Sequence, residues 1–267
     1  MKKKCIMFGN CHCSGIALFL KKFSNFYDIY DVEQYANWQL ILDNEYISTK
    51  SLQDADLVIY QPLSDVHNCY STNKNYPSSF FNLLKENCKT ISFPRIHNNA
   101  IFPIFKKHFH KTEMYGYVIN EISDINKLIE LYEKNLLNYD FNTRMNENYK
   151  ISKEKEENCD VKIIDFIFEN IQKHNLFLTH DHPTSFIFNE LTRQICTILN
   201  IDYNYDNGLL AEENITGLGD SVYQNKSCQY PISRYAIKYF KFTYIDSEDS
   251  DADEFYRNNT INYYKLL

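Results

Sequence analysis

Three features are missing from this 267-residue chain, and each absence argues against one class of protein. No apolar run approaches the ~18 residues that a membrane-spanning helix needs, so we expect no membrane span. There is no basic excess, since 28 lysines and arginines stand against 35 aspartates and glutamates, which argues against duplex nucleic acid as a partner. No internal repeat is visible, and a single domain over residues 1–267 is the simplest division of the chain.

The amino end imitates a secretory signal without having all its parts. Met1–Lys4 is basic, and a mostly apolar stretch follows it as far as Leu20. Asn10 and His12 interrupt that stretch and no small-residue cleavage site follows it, so we expect the segment to belong to the fold. Eight scattered cysteines show no small-scaffold spacing, which predicts reduced thiols and a cytoplasmic location.

Most of the net negative charge lies near the carboxyl end. Six acidic residues fall within residues 246–254, and 35 less these 6 leaves 29, close to the 28 basic residues. We predict that this run is a solvated loop or a mobile part of the tail. The aromatic-rich residues from Tyr230 onward are expected to pack back on the body.

Short apolar runs alternate with helical spacing along the chain. Strands are predicted over residues 5–8, 56–60 and 89–93. Helices are predicted over residues 14–23, 77–87, 121–137, 161–172 and 184–199. The polar residues 140–159 are expected to form an exposed connection. Strands that alternate with helices imply parallel pairing, and therefore an α/β protein.

The segment Gly9–Gly15 joins the first predicted strand to a helix that we expect Ser14 to cap. A doubly wound sheet places its ligand and its nucleophile at such a strand–turn–helix unit. Helix N-terminal amides beside Cys11 would lower the pKa of its thiol and could hold a developing oxyanion. The alternative is that Cys11 is only a small buried residue.

A second cluster, His180-Asp181-His182-Pro183, precedes a long predicted helix. Pro183 fixes the backbone and starts that helix at its preferred first turn. Two histidines that flank an aspartate are compatible with a thiolate–imidazolium pair oriented by a carboxylate.

A rival chemistry uses the same residues. Cys11 and Cys13 with His180 and His182 could bind zinc through two thiolates and two imidazoles. Structural zinc sites usually space paired ligands by two to four residues, and here only one residue separates each pair. We therefore predict no metal.

Four motifs together resemble a known family. Gly9-Asn10-Cys11 with Gly15 looks like the first block of the SGNH/GDSL hydrolase superfamily with cysteine in place of serine, and His182-Pro183 looks like its last block. Residues 55–65 and 92–96 make the chain more similar to the WcbI-type polysaccharide-biosynthesis proteins. The resemblance covers about residues 4–200. It implies a helix-rich, three-layer SGNH-like α/β fold with a mostly parallel central sheet, followed by an extension over about 201–267.

The resemblance also implies roles for individual residues. Cys11 falls on the nucleophile position and His182 on the base position, and we add His180 and Asp181 to the catalytic set. The residues predicted to bind coenzyme A are Gly9, Asn10, His12, Ser14, Gly15, Ser64 and Arg95. Further cations for its phosphates are Arg193 and the basic residues within 106–111, although each of these is more typical of a solvated surface.

The chain departs from the family pattern at two positions. His12 stands where the family usually has glutamine, and Thr179 stands where the superfamily has the aspartate three residues before its histidine. Asp181 is adjacent to His182, so we expect its side chain to point elsewhere. The third member of the triad therefore remains open, with His180 and Asp181 as alternatives.

The resemblance implies a coenzyme A-dependent acetyltransferase of capsular or surface polysaccharide biosynthesis. Its partners would be acetyl-CoA and a sugar, sugar nucleotide or glycan acceptor, and the sequence leaves a homo-oligomer open. One alternative is a carbohydrate esterase or deacetylase that uses the same Cys11 and His182. Another is a non-catalytic sugar-binding module, in which exposed tyrosines and Trp38 would stack on sugar rings.

Overall fold

Four parallel strands form the centre of the fold. The computed structural model describes residues 1–102, 124–205, 221–245 and 250–264. The strands are β1 (Lys3–Gly9), β2 (Tyr30–Ala36), β3 (Leu57–Tyr60) and β4 (Lys89–Ser92). Their order is β2-β1-β3-β4, with Cys5 of β1 opposite Leu57 of β3 and Gly9 of β1 opposite Ala36 of β2. From β1 the chain adds β2 on one side, and then adds β3 and β4 on the other side. The strand order therefore switches direction between β1 and β3, and open α/β sheets bind their ligands at such a point.

Helices surround the sheet, and a short antiparallel pair lies outside it. The described helices are α1 (Cys11–Phe23), α2 (Phe26–Ile29), α3 (Asn37–Asp43), α4 (Thr49–Asp54), α5 (Ile125–Glu133), α6 (Phe141–Glu156), α7 (Ile164–Asn170), α8 (Ser185–Leu199), α9 (Ser221–Gln224), α10 (Arg234–Phe240) and α11 (Ser250–Tyr264). The pair consists of β5 (Phe177–Thr179) and β6 (His182–Pro183). Among the described residues, no helix has the length and apolar character to cross a bilayer.

The sheet separates two apolar clusters because successive strand side chains point to opposite faces. Met7 and Ile59 face the larger cluster, which contains Phe19 of α1 and Phe188 of α8. On the other face, Phe8 lies in a smaller cluster. Its helical members include Leu40 of α3 and Leu52 of α4. These layers confirm the three-layer α/β fold with a parallel central sheet.

The predicted helix over residues 77–87 is wrong. Only a short 3-10 helix, Phe80–Leu83, forms there. The hydroxyl of Ser79 accepts a hydrogen bond from the amide of Phe81 at 3.2 Å and donates one to the carbonyl of Ser71 at 2.6 Å. Such local bonds give the backbone an alternative to a continuous helix.

The exposed connection predicted over residues 140–159 is also wrong, because most of it is helix α6. The buried face of α6 is polar and carries Arg144, Asn148, Ser152 and Glu156. The carboxylate of Glu156 accepts a hydrogen bond from the amide of Ile164 at 2.8 Å, at the start of α7. A search for apolar periodicity cannot recognise a helix that buries polar side chains.

The described residues from Tyr230 onward pack on the body, as predicted. Tyr235 and Tyr256 belong to the larger apolar cluster. The predicted solvated acidic run is partly wrong: residues 246–249 lie outside the described residues, but α11 begins at Ser250 and buries Ala252. Asp253 forms an ion pair with Arg234 at 2.7 Å. The single-domain division with a carboxyl-terminal extension stays a prediction.

Candidate active site

The turn that carries Cys11 lies at the carboxyl edge of the sheet. Gly9 ends β1 and is so closely packed that a Cβ atom there would lie 2.7 Å from Cys13 Sγ and 3.2 Å from Gln61 Cβ. Asn10 caps α1, since its Oδ1 accepts a hydrogen bond from the amide of His12 at 3.0 Å. The helix therefore begins at Cys11, and the prediction that Ser14 caps it is wrong.

The two cysteines of this segment, Cys11 and Cys13, differ in solvent exposure. Cys11 is partly exposed at the first position of α1, whereas Cys13 is buried. Burial raises the pKa of the Cys13 thiol far above its usual range, so Cys13 stays protonated. The amides of His12 and Cys13 already donate to Asn10, which removes them as the oxyanion donors that we expected.

Gly15 and Ser14 of α1 differ in exposure, since Gly15 is buried and Ser14 faces solvent. A Cβ atom on Gly15 would lie 2.2 Å from the ring of Phe188, so the glycine lets α1 and α8 approach closely. Ser14 is exposed. The close packing explains Gly15 without a ligand, and its predicted contact with coenzyme A stays a prediction.

The histidine loop, defined as residues 179–183, comprises the end of β5, the turn that follows it, and β6. His182 Nδ1 lies 2.9 Å from Asp181 Oδ1 and 2.6 Å from Thr179 Oγ1. Thr179 Oγ1 also donates to Asp181 Oδ1 at 3.0 Å, so the three side chains form a closed network. The expectation that Asp181 points away from His182 is therefore wrong.

The network sets the charge of Asp181 and the proton position on His182. Burial opposes ionisation of Asp181, but the hydrogen bond from His182 and the charges of His180 and His182 hold its pKa well below the usual range. An ionised carboxylate can only accept a hydrogen bond, so Nδ1 of His182 carries a proton and donates it in a hydrogen bond to Asp181. His182 Nε2 is then the nitrogen that can act as a base.

His12 links the Cys11 turn to the histidine loop. Its side chain is fully buried, and its Nε2 donates to the backbone carbonyl of Asp181 at 2.9 Å. Burial lowers the pKa of His12 to about 4, so the ring is neutral near pH 7. The buried ring has a structural role as this link, and its predicted role in binding coenzyme A stays a prediction.

The histidine loop is enclosed by aromatic residues that the sequence analysis did not single out. The His182 ring meets Tyr223 edge-on at 5.6 Å between centroids, and the Tyr223 hydroxyl donates to the carbonyl of Pro183 at 3.1 Å. His180 stacks on Tyr230 at 5.7 Å and meets His97 edge-on at 5.1 Å. With 22 tyrosines in the chain, nothing in the sequence marked these two.

Comparison with known proteins assigns the chain to a family. The family model described as polysaccharide biosynthesis enzyme WcbI matches residues 4–204, about three quarters of the chain. The chain belongs to the WcbI family. This result confirms the resemblance seen in the sequence and makes the protein a member of a polysaccharide biosynthesis enzyme family.

A solved structure of WcbI has the same fold. It is described as a novel polysaccharide biosynthesis enzyme, and as the native protein without a disulfide bond between coenzyme A and one of its cysteines. The TM-score is 0.59 at 15% sequence identity, and the match covers 100% of this chain and 98% of the WcbI chain. A comparison with curated proteins gave no match.

The two remaining positions predicted from the family resemblance, Ser64 and Arg95, follow neighbouring strands. Ser64 is exposed after β3, and Arg95 is exposed after β4. The positive charge of Arg95 contributes to the lowered pKa values of His12 and His97. Arg95 therefore lies near both rings. Ser64, Arg95 and Cys11 thus lie at the same edge of the sheet.

The weaker cation and aromatic candidates are Arg193, the basic residues within 106–111, and Trp38. Arg193 pairs with Glu190 on the surface of α8 at 2.6 Å, and residues 106–111 lie outside the described residues. Trp38 is exposed near the start of α3, just after β2. Within the described ranges, no three His, Cys, Asp or Glu side chains are arranged to hold a metal ion.

Proposed function

We propose that this chain transfers an acetyl group from acetyl-CoA to a hydroxyl of a sugar or sugar nucleotide in capsular or surface polysaccharide biosynthesis. The observation that carries the proposal is the link between two chemical groups. His182, oriented by Asp181 and Thr179, lies in a loop that His12 ties to the turn bearing Cys11. The coenzyme A named for the solved WcbI structure supports a thiol-bearing substrate.

In the first half of the reaction, His182 Nε2 takes the proton of the Cys11 thiol. The thiolate attacks the thioester carbonyl of acetyl-CoA, a new C–S bond to Cys11 forms, and the C–S bond to coenzyme A breaks. The departing coenzyme A thiolate takes the proton back from His182. Asp181 stabilises the imidazolium that exists between these two proton transfers.

In the second half, the acceptor completes the transfer. His182 Nε2 takes the proton of a sugar hydroxyl, whose oxygen attacks the acetyl-Cys11 carbonyl. The C–S bond breaks, and the Cys11 thiolate recovers the proton. Direct transfer from acetyl-CoA, with His182 activating the sugar and Cys11 only nearby, uses the same proton path without the covalent intermediate.

Asn10 is the donor that we assign to the developing oxyanion. Its Oδ1 accepts the capping hydrogen bond of α1, which identifies the other terminal atom, Nδ2, as the donor. Among the described residues, Nδ2 donates no hydrogen bond, and Asn10 is adjacent to Cys11 in the turn. Side-chain amides serve this purpose in other acyl-transfer enzymes.

The first experiment tests whether coenzyme A binds at all. Titration of the protein with coenzyme A by calorimetry should give a saturable heat. The absence of binding at millimolar coenzyme A would contradict the proposal and favour the esterase or the sugar-binding module. Acetate release from an acetylated sugar without any acceptor would identify the esterase.

A second measurement separates the two routes. Intact-mass analysis after single-turnover mixing with acetyl-CoA should show one added acetyl group in wild type and none in Cys11→Ala. Product formation from an enzyme in which Cys11 stays unmodified would exclude the covalent route. We place the reaction in the cytoplasm, where the eight cysteines, none of which forms a disulfide bond in the structure, would remain reduced.

A further inference from the structure

A cavity lies beside the histidine loop. Its volume is about 220 Å³, and it lies between the segment after β4 and helix α6. Arg95, His97 and Asn99 form one wall, and Asn148, Ser152 and Lys155 of α6 form the other. Because residues 140–159 were expected to be an exposed connection, the second wall was not predicted.

The cavity is joined to the proposed catalytic site by two contacts. The amide of Asn98 donates to the carbonyl of His180 at 2.7 Å, and the ring of His97 meets that of His180 edge-on. A ligand group held in the cavity would therefore lie next to the loop that carries His182.

The charge of the cavity is positive. Arg95 and Lys155 are both exposed and form no ion pair or side-chain hydrogen bond within the described residues. No described carboxylate lines the cavity. Burial lowers the pKa of His97 to about 3, with the positive charges of His180 and Arg95 acting in the same direction, so His97 stays neutral near pH 7. Two uncompensated cations in a partly enclosed space favour an anion.

The inner part of the cavity is polar and incompletely satisfied. Asn148 is 6% exposed, and its Nδ2 donates to the carbonyl of His97 at 3.4 Å. Its Oδ1 is buried without a partner in the described part of the chain. Buried amides normally have their hydrogen bonds satisfied, so this oxygen has capacity for a hydroxyl group of a ligand. Ser152, 9% exposed, supplies a further hydroxyl beside it.

We infer that this cavity binds a phosphate group of a substrate, with Arg95 and Lys155 as the cations and Asn148 Oδ1 as the acceptor for a hydroxyl group of the same substrate. For the identity of that substrate the inference rests on the proposed acetyl transfer, in which coenzyme A and a sugar nucleotide both carry phosphates. A guanidinium and an ammonium are the groups that proteins use most for phosphate esters.

Calorimetric titration with three probes tests the site and separates the sources. Pyrophosphate represents the group that both substrates share, adenosine 3′,5′-bisphosphate represents coenzyme A, and uridine diphosphate represents a sugar nucleotide. We expect one nucleotide to bind more tightly than pyrophosphate, and the tighter one identifies the source. If none of the three binds at millimolar concentration, the inference is wrong.

A matched pair of variants locates the binding. Lys155→Met removes a cation of the cavity, whereas Lys150→Met removes an exposed cation of the same helix that does not line it. Loss of a charged hydrogen-bond partner should weaken probe binding about 10- to 100-fold in Lys155→Met. Lys150→Met should bind as wild type does. Equal weakening by the two variants would show a nonspecific charge effect and overturn the inference.

The probes also keep this inference separate from the proposed function. Their binding needs neither the Cys11 thiol nor the acetyl group, so Cys11→Ala should bind them as wild type does. Localised phosphate binding without acetyl transfer would leave the cavity assignment intact and refute the proposed reaction. Transfer from acetyl-CoA that is equally fast in wild type and Lys155→Met, with no probe bound, would refute the cavity alone.

Discussion

The two segments that carry the proposed chemistry are held in place in different ways. The Cys11 turn is fixed locally, by hydrogen bonds from the amides of His12 and Cys13 to Asn10 and by the strand that precedes it. The histidine loop is fixed by distant residues: His12 lies 169 positions from Asp181, and Tyr223 lies 40 positions from Pro183. Tertiary packing therefore decides whether the two segments face each other.

The carboxyl-terminal region therefore holds the histidine loop in position, in addition to packing in the core. Tyr223 and Tyr230 enclose His182 and His180, and the amide of Tyr230 donates to the carbonyl of Leu178 at 2.8 Å. The position of the proposed base thus depends on residues more than 40 positions away as well as on its neighbours Thr179 and Asp181. The orientation of the proposed nucleophile depends on the residue before it.

The largest effect is expected from the base itself. His182→Ala should lower acetyl transfer by ~10²–10⁴-fold, because general-base catalysis typically contributes that much. Coenzyme A affinity should change little, since the imidazole acts on a thiol or a hydroxyl and not on the phosphates. Steady-state kinetics with calorimetry checks both. Equal rates for wild type and His182→Ala from pH 6 to 9 would remove His182 from the mechanism and leave His180 as the next candidate.

The second prediction concerns the link between the two segments and its dependence on pH. The pKa of His12 is about 4 in the folded protein and about 6.5 in an unfolded chain. As pH falls from 6.5 towards 4, the unfolded state binds the proton first, so stability is lost in that window. His12→Gln keeps a side-chain donor for the carbonyl of Asp181 but cannot titrate.

Between pH 7 and pH 4.5, wild type should therefore lose about 2 kcal/mol more of its free energy of unfolding than His12→Gln does. Urea unfolding at the two pH values measures the difference. Parallel losses in the two proteins would show that His12 is not buried in its neutral form.

A smaller effect is expected from the orientation of the base. Thr179→Val keeps the volume but removes the hydroxyl that lies 2.6 Å from His182 Nδ1, and should slow transfer about 10-fold. Thr179→Ser should restore most of the rate. Because Thr179 acts through His182, the acidic limb of the pH–rate profile should also shift in Thr179→Val. An unchanged profile with a lower melting temperature would indicate a purely structural role.

The smallest effect on folding stability is expected from the cap of α1, which is held in place locally. Asn10→Ala removes the cap of α1 and should cost about 1 kcal/mol of folding stability. Asn10→Asp keeps the capping oxygen and should retain that stability, but it lacks the amide donor that we assign to the oxyanion. Thermal unfolding and transfer rates should therefore separate in Asn10→Asp. Wild-type transfer by this variant would exclude Asn10 as the oxyanion donor.

Several elements were predictable because their signals are local. The strands β1, β3 and β4 are short apolar runs, and the amphipathic helix α8 lies within the range predicted for it. Strand β2 was not predicted, since among the described strands it pairs with β1 alone and much of it is polar or partly exposed. Helix α6 was missed because, after Phe141, its buried residues are polar: Arg144, Asn148, Ser152 and Glu156.

The sequence by itself determined the family, the α/β class and the two motifs that hold Cys11 and His182, because each depends on residues that are neighbours in the chain. Only the tertiary structure decided that Asp181 turns back to His182, that His12 is a buried link, and that α6 faces Arg95 across a cavity. These relations depend on burial and on contacts between distant residues. No spacing within a single segment encodes them.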